Sequence, residues 1–294
     1  MTILNALALT EARAQGACFD QTLTLGRLAC YLSLSDSRRI ARVLPPDSTF
    51  VKSAAAGKVA PFVDDFLFAL GARSVDSMDA NSFEGATVSH DLNEPLPAHL
   101  LQKYDAVVDG GTLEHVFNVP VAFRNAMDAL RVGGRFFATV PANNFCGHGF
   151  YQFSAEFFYR VFSRENGFEM RQVLVAPARA AGWLDGPAFE VDDPENLKRR
   201  IEISGRRPMV LLVHAQKVEQ KVVFAQWPQQ SDFAAAWSSG VHRPGISASR
   251  NRGVSRPIFE KFGLLRYVYR LKERRIWSRQ CVKTHGLKHH KWTL

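Results

Sequence analysis

Cysteine is scarce in this chain: four occur in 294 residues, scattered at Cys18, Cys30, Cys146 and Cys281. They form no CxxC pair and fit no His/Cys ligand spacing, which argues against a disulfide scaffold or a structural zinc site. No metal site is expected on this count. Long apolar runs are missing too, since none approaches the roughly 20 residues needed to span a bilayer. The first residues, MTILNALALTEARAQGA, have no basic region before their short apolar part. A signal peptide is therefore not expected, and a reduced, cytoplasmic protein is the plain reading. Two catalytic signatures are absent as well. A nicotinamide enzyme should show GxGxxG after its first strand. A Ser/His/Asp hydrolase of the nucleophile-elbow type should show GxSxG.

What is present has ordinary globular proportions, with 46% apolar and 22% charged residues. A chain of this length can bury a large core, as one domain or a domain with an appendage. The net charge of +9 is unevenly spread. Residues 241–294 hold 14 Lys or Arg against two Glu, a balance of +12, whereas residues 1–240 carry −3. The basic excess belongs to the tail and says nothing about a site in the body of the chain.

The most informative stretch is residues 104–141, YDAVVDGGTLEHVFNVPVAFRNAMDALRVGGRFFATVP. An apolar run, Tyr104–Asp109, is broken by Gly110-Gly111. A helical pattern runs from Val119 to Leu130 and is stopped by Gly133-Gly134. A second apolar run, Arg135–Val140, closes at Pro141. Strand, turn, helix, turn and strand make one right-handed βαβ unit of a buried parallel sheet. Ligands of such sheets sit beyond the carboxyl ends of the strands. Asp109, Gly110, Glu114 and His115 fall at the first mouth, and Ala142–Gly149 at the second.

This stretch resembles the class I S-adenosylmethionine-dependent methyltransferases, whose fourth and fifth strands commonly read like YDAVVDGGTLEHV and LRVGGRFFATVP. The Glu-His pair and the double glycine are habitual there. The resemblance covers roughly residues 48–218 and implies an α/β, Rossmann-like, doubly wound and mostly parallel sheet with a late antiparallel strand. It divides the chain into an N-terminal helical segment (1–47), a methyltransferase domain (48–220) and a linker with a basic helical C-terminal extension (221–294). The implied cofactor is S-adenosylmethionine.

In chain order, Thr2–Arg13 reads as an amphipathic helix and Thr22–Leu34 as another. Thr49–Lys52 is taken as the first sheet strand, with Ser53–Gly57 as the cofactor turn. The family usually has several glycines there, and here Gly57 stands alone. Val59–Leu70 is helical and Ser74–Met78 is the second strand, ending at Asp79. An acidic residue at that point accepts hydrogen bonds from a ribose diol; a solvated turn aspartate is the alternative. Ala86–His90 follows at once, so the intervening helix is short or absent. Asp91-Leu92 then fall where the family contacts the adenine amine, with an Asx-turn as an equal rival for Asp91. The implied cofactor-binding set is thus Ser53, Gly57, Asp79, Asp91, Leu92, Asp109, Gly110 and Glu114.

After Pro141 come an Asn/Gly loop, a helix at Ala155–Ser163 capped by Ser154, and many aromatics. Phe158 and Phe162 read as core, whereas Phe145, Phe150 and Tyr151 are placed to shape an acceptor pocket. Phe168–Ala176 and Pro208–Lys217 read as the two late strands. Methyl transfer is an in-line displacement that depends mainly on positioning. A hydroxyl acceptor also gains from a histidine base. His148, flanked by Gly147 and Gly149, ranks ahead of His115, and either histidine could instead be structural. The acceptor is expected to be a small molecule or saccharide methylated on oxygen. No NPPY-like tetrapeptide for flipped bases is present. The alternative is a degenerate Rossmann-like protein that binds through its tail. That tail, with a basic amphipathic helix at IFEKFGLLRYVYRLKERRIW, suits an anionic membrane, acidic glycan or nucleic acid, or else packs on the domain. HGLKHHKW reads as a frayed end.

Overall fold

Helix α1 (Ile3–Ala14) forms where an amphipathic helix is expected and buries Leu4, Leu7 and Leu9 against one face of the sheet. The computed structural model describes residues 1–178, 188–197, 201, 207–239 and 287–292. Strand β1 (Gln21–Leu25) follows at a position read from sequence as helix. Its alternating Thr-Leu pattern is what decides. Leu23 and Leu25 point into one core cluster. Thr22 and Thr24 are buried too, and their hydroxyls donate to the carbonyls of Phe19 (2.5 Å) and Gly26 (2.8 Å). Buried threonines are tolerated here because each hydroxyl finds a backbone partner. Gly26 then adopts φ +77°, a left-handed conformation that glycine enters without penalty.

Three short helices lie between β1 and the next strand: α2 (Leu34–Ala41), α3 (Thr49–Ala55) and α4 (Asp64–Ala69). The expected first strand at Thr49–Lys52 is therefore a helix. Its N-terminus is capped by Ser48, whose Oγ accepts from the Val51 N–H at 3.4 Å. The alanines at 54–56 favour the helix further, alanine being the strongest helix former. Ser53 lies on this helix and Gly57 just beyond its end, with the Gly57 N–H donating to Ala54. Neither stands at a strand mouth; the turn that leaves the first strand begins instead at Gly26.

Strand β2 (Ser74–Asp79) is where it is expected, and β3 (Val88–Ser89) follows with no helix between them. Strand β4 (Tyr104–Asp109), helix α5 (Val119–Ala129) and strand β5 (Leu130–Asn143) form the βαβ unit. Helix α6 (Ala155–Val161) is capped by Ser154, which accepts from the Phe157 N–H at 3.2 Å. Strands β6 (Phe168–Pro177) and β7 (Phe189–Val191), the short helix α7 (Pro194–Leu197), strand β8 (Met209–Lys217) and helix α8 (Ser231–Ser239) come next. The last strand, β9 (Leu287–His289), is supplied from the C-terminal end of the chain.

These strands make one nine-stranded sheet, ordered β3-β2-β1-β4-β5-β8-β6-β7-β9. Strands β1 to β5 pair in parallel, and β8 inserts antiparallel between β5 and β6. This is the expected Rossmann-like arrangement, parallel from β1 to β5, and its late part, β8, β6, β7 and β9, pairs antiparallel throughout. Apolar clusters cover both faces, one under α1 to α4 and one under α5 and α6. Phe158 and Phe162 belong to the second, as expected.

Residues 287–292, read from sequence as part of a frayed end, join the sheet. Strand β9 pairs antiparallel with β7. His290 is then held between Glu11 of α1 (3.0 Å) and Glu190 of β7 (3.1 Å), with Trp292 edge-on at 4.5 Å. The basic amphipathic segment at 258–277 lies outside the described residues. No helix among the described residues is long and apolar enough to cross a membrane.

Candidate functional site

The mouths of β1, β2, β4 and β5 lie side by side, and the turns leaving them build the site. After β4, the Asp109 Oδ1 accepts from the Gly111 N–H (3.2 Å) and the Thr112 N–H (2.8 Å). This Asx-type cap folds the chain back, and Gly111 takes φ +112° to allow it. The Thr112 hydroxyl donates to the Leu25 carbonyl at 2.8 Å, tying the β4 mouth to the β1 mouth. Leu28, carried by the β1 turn, lies over Gly110, where an added Cβ would come within 3.0 Å of it. The first and fourth strands therefore share one apolar wall at their ends. Sequence reasoning missed Gly26, Leu28 and Thr112.

A single 3-10 turn, Leu113–His115, then carries Glu114 inward and His115 outward. The Glu114 carboxylate is 1% exposed and His115 is exposed. The loop after β5 returns over this turn. The N–H groups of Phe150 and Tyr151 both donate to the Glu114 carbonyl, at 2.9 and 3.2 Å. The loop thereby brings His148 Nε2 to 3.3 Å from Glu114 Oε1. The two imidazole rings lie 5.1 Å apart, and Phe145 meets His148 edge-on at 5.6 Å. Phe150 stacks edge-on with Phe117 at 5.7 Å, both well exposed. Tyr151 anchors the loop by donating to the Phe117 carbonyl at 2.7 Å.

The electrostatics follow from burial. Burial raises the Asp109 pKa well above the usual carboxylate range, and the nearby Glu114 raises it further. Burial likewise raises that of Glu114. Burial lowers the His115 pKa, and the neighbouring His148 lowers it further. One oxygen on each carboxylate, Asp109 Oδ2 and Glu114 Oε2, lacks a hydrogen-bond partner among the described residues. Each of these buried carboxyl groups therefore favours its neutral form more than an exposed one would.

The remaining candidates spread along the same edge. Asp79 ends β2, half-exposed, with Oδ1 accepting from the Ala80 N–H at 2.7 Å. Asp91 forms the Asx-turn that rivalled the cofactor role: its Oδ1 accepts from the N–H (2.9 Å) and side-chain amide (2.8 Å) of Asn93. Those bonds hold its pKa below the usual range. Leu92 is buried in the core cluster under α5. The structure thus brings together Asp109, Gly110, Glu114, His115 and His148 and leaves Asp79 along the same edge, while Ser53 and Gly57 fall on and just beyond α3.

Beside the end of β5, a cavity of about 580 Å³ opens under α6. Phe123, Phe153, Phe157, Leu211, Phe224 and Trp227 supply its apolar walls, with Asn143 and Arg160 among the polar groups.

No protein-family model matches the chain, and no curated protein does. Among solved structures, it is similar to a Thermotoga maritima S-adenosylmethionine-dependent methyltransferase described as a possible histamine N-methyltransferase. That likeness has 14% identity and a TM-score of 0.36, over 74% of this chain and 89% of that one. The Burkholderia thailandensis 1,6-didemethyltoxoflavin-N1-methyltransferase aligns at 14% identity and a TM-score of 0.39, over 74% and 78% of the two chains. N-methyltransferase NodS from Bradyrhizobium japonicum aligns at 11% identity and a TM-score of 0.39, over 73% and 94%. None of these likenesses carries chemistry to this chain; that has to come from its own side chains.

Proposed function

We propose that the chain binds S-adenosylmethionine along the mouths of β1, β2 and β4 and transfers its methyl group to an oxygen of a small-molecule or saccharide acceptor. The observation that carries this reading is the convergence of Glu114, His115 and His148 on the β4 mouth, directly beside the glycine turn of β1. The residues present fit the cofactor. Gly110 is exposed at the β4 mouth, and left-handed Gly26, buried against the Thr112 hydroxyl, shapes the adjoining β1 turn. Asp79 offers a half-exposed carboxylate at the end of β2, where ribose hydroxyls donate in folds of this kind. When bound, the cofactor supplies an electrophilic methyl group on a positively charged sulfur.

The chain's own residues then have three tasks. Asp79 holds the nucleoside, and the wall formed by Leu28 and Gly110 excludes water from the space between β1 and β4. The loop at Asn144–Gln152 carries the acceptor side. There His148 takes the acceptor's hydroxyl proton on Nδ1 while Nε2–H faces Glu114, whose carboxylate stabilises the resulting imidazolium. The neighbouring cavity, with its aromatic walls, suits the apolar part of a small-molecule acceptor.

Incubation with isotopically labelled S-adenosylmethionine and a panel of hydroxylated small molecules and glycans, read by mass spectrometry, tests the reading. Label should appear on an acceptor oxygen. His148→Ala should lower turnover by roughly a hundredfold or more, with cofactor affinity nearly intact. A matching loss of cofactor affinity would make His148 structural, and a pure turnover defect in His115→Ala would transfer the role to that residue.

A further inference from the structure

Glu114, His115 and His148 are close enough to share one ion. A ligand atom from each lies within 4.8 Å of the other two. Glu114 is 1% exposed, and no lysine or arginine among the described residues pairs with it. Its Oε2 has no hydrogen-bond partner among them either. A buried carboxyl group relieves the cost of its charge either by holding a proton or by pairing with a cation, and a metal ion would supply that cation. The two histidines offer their ring nitrogens from two separate turns. The turns are locked together by the bonds from Phe150 and Tyr151 to the Glu114 carbonyl.

We propose that Glu114, His115 and His148 form a mononuclear site for a divalent transition-metal ion of the zinc class. Two imidazoles and one carboxylate are the donor set that such ions accept while keeping a position open. Both histidines are exposed, so the open position faces solvent and the acceptor side. The proposal rests on reading this mouth as the acceptor side and changes how the acceptor loses its proton. A hydroxyl bound to the ion would release its proton to water, because the ion lowers its pKa. The oxygen would then form the new bond to the methyl carbon as the carbon–sulfur bond breaks, leaving the electron pair on sulfur.

Full-length protein, stripped with chelator and dialysed, would be titrated with Zn²⁺ by calorimetry and with Co²⁺ by visible absorption. The expected result is one ion per chain and cobalt d–d bands of a low-coordinate nitrogen–oxygen site. His115→Gln and His148→Gln, both at exposed positions, should each cost more than the roughly hundredfold typical of losing an outer-shell partner. Glu114→Gln should do the same. Absence of stoichiometric uptake would overturn the assignment. So would binding that survives His148→Gln and disappears with His289→Ala, because the ion would then sit on the C-terminal histidines. Cofactor binding by the metal-stripped protein separates the two readings. If it persists with no metal uptake, only the metal site fails; if metal binds and the cofactor does not, only the methyl-transfer reading fails.

Discussion

Gly149 lies against Glu114: a Cβ added at Gly149 would sit 2.9 Å from the Glu114 carbonyl oxygen and 3.2 Å from His115 Nδ1. The loop after β5 can therefore close over the β4 turn only if residue 149 has no side chain. Gly147, two residues earlier, has nothing within 4 Å of its added Cβ. Gly149→Ala should push the loop away, separate His148 from Glu114 and abolish most methyl transfer. Overpacking of this kind typically costs about 1–3 kcal/mol. Gly147→Ala should leave activity and melting temperature near the parent values. Equal activity in the two variants would show that loop closure does not matter for the chemistry.

Residues 287–292 belong to the fold. His290 is 6% exposed and bridges Glu11 on the first helix to Glu190 on β7, closing a contact across 279 residues of sequence. Hydrogen bonds to charged groups are worth roughly 1.5–3 kcal/mol. His290→Ala, or truncation after residue 286, should therefore lower the melting temperature by several degrees and leave S-adenosylmethionine affinity close to the parent's. An unchanged melting curve would mean that β9 is incidental to stability.

A buried histidine sets an acid limit. His214 on β8 stacks on Phe137 at 4.6 Å, and its Nε2 lies 3.2 Å from Arg135 Nη1. Burial first, then Arg135 and Arg171, lower its pKa to about 3. The folded state thus holds this ring neutral, while the unfolded chain protonates it near the ordinary value of about 6.5. Above that pH the group contributes nothing. Below it the unfolded state binds the extra proton, so stability falls with pH until about 3 is reached. The slope is at most about 1.4 kcal/mol per pH unit for one group. His214→Gln, which keeps an acceptor for Arg135, should flatten the pH dependence of urea unfolding between pH 6 and 4 (roughly the window of the linkage). A parallel loss in both proteins would assign the acid sensitivity elsewhere.

The βαβ unit at the centre of the sheet was legible because its signals agree. Tyr104–Asp109 is apolar throughout and buried throughout, and glycines punctuate it where the chain turns. Asp79 was legible for the same reason, as the acidic end of a short strand. β1 was not. Gln21–Leu25 is only five residues long, and its Thr/Leu alternation sits inside a stretch whose apolar spacing also fits a helix. The left-handed Gly26 that closes it was the signal that could have found it. At Thr49–Lys52 the apolar run suggested a strand, but the Ser48 cap and the alanines that follow are local helix signals, and they prevail. The Glu114–His148 approach depends on a loop folding back over about 30 residues of chain, and the bonds from Phe150 and Tyr151 that enforce it are backbone bonds with no residue signature.

The central claim is that the strand mouths form an S-adenosylmethionine site with Asp79 on the ribose. Isothermal titration calorimetry of the full-length protein, beside folded Asp79→Ala, tests it most directly. One cofactor should bind per chain, and the variant should bind roughly ten- to a hundredfold more weakly, the loss of about 1.5–3 kcal/mol expected for a charged acceptor. No heat of binding with the parent protein, or equal affinity in the two, would contradict the account.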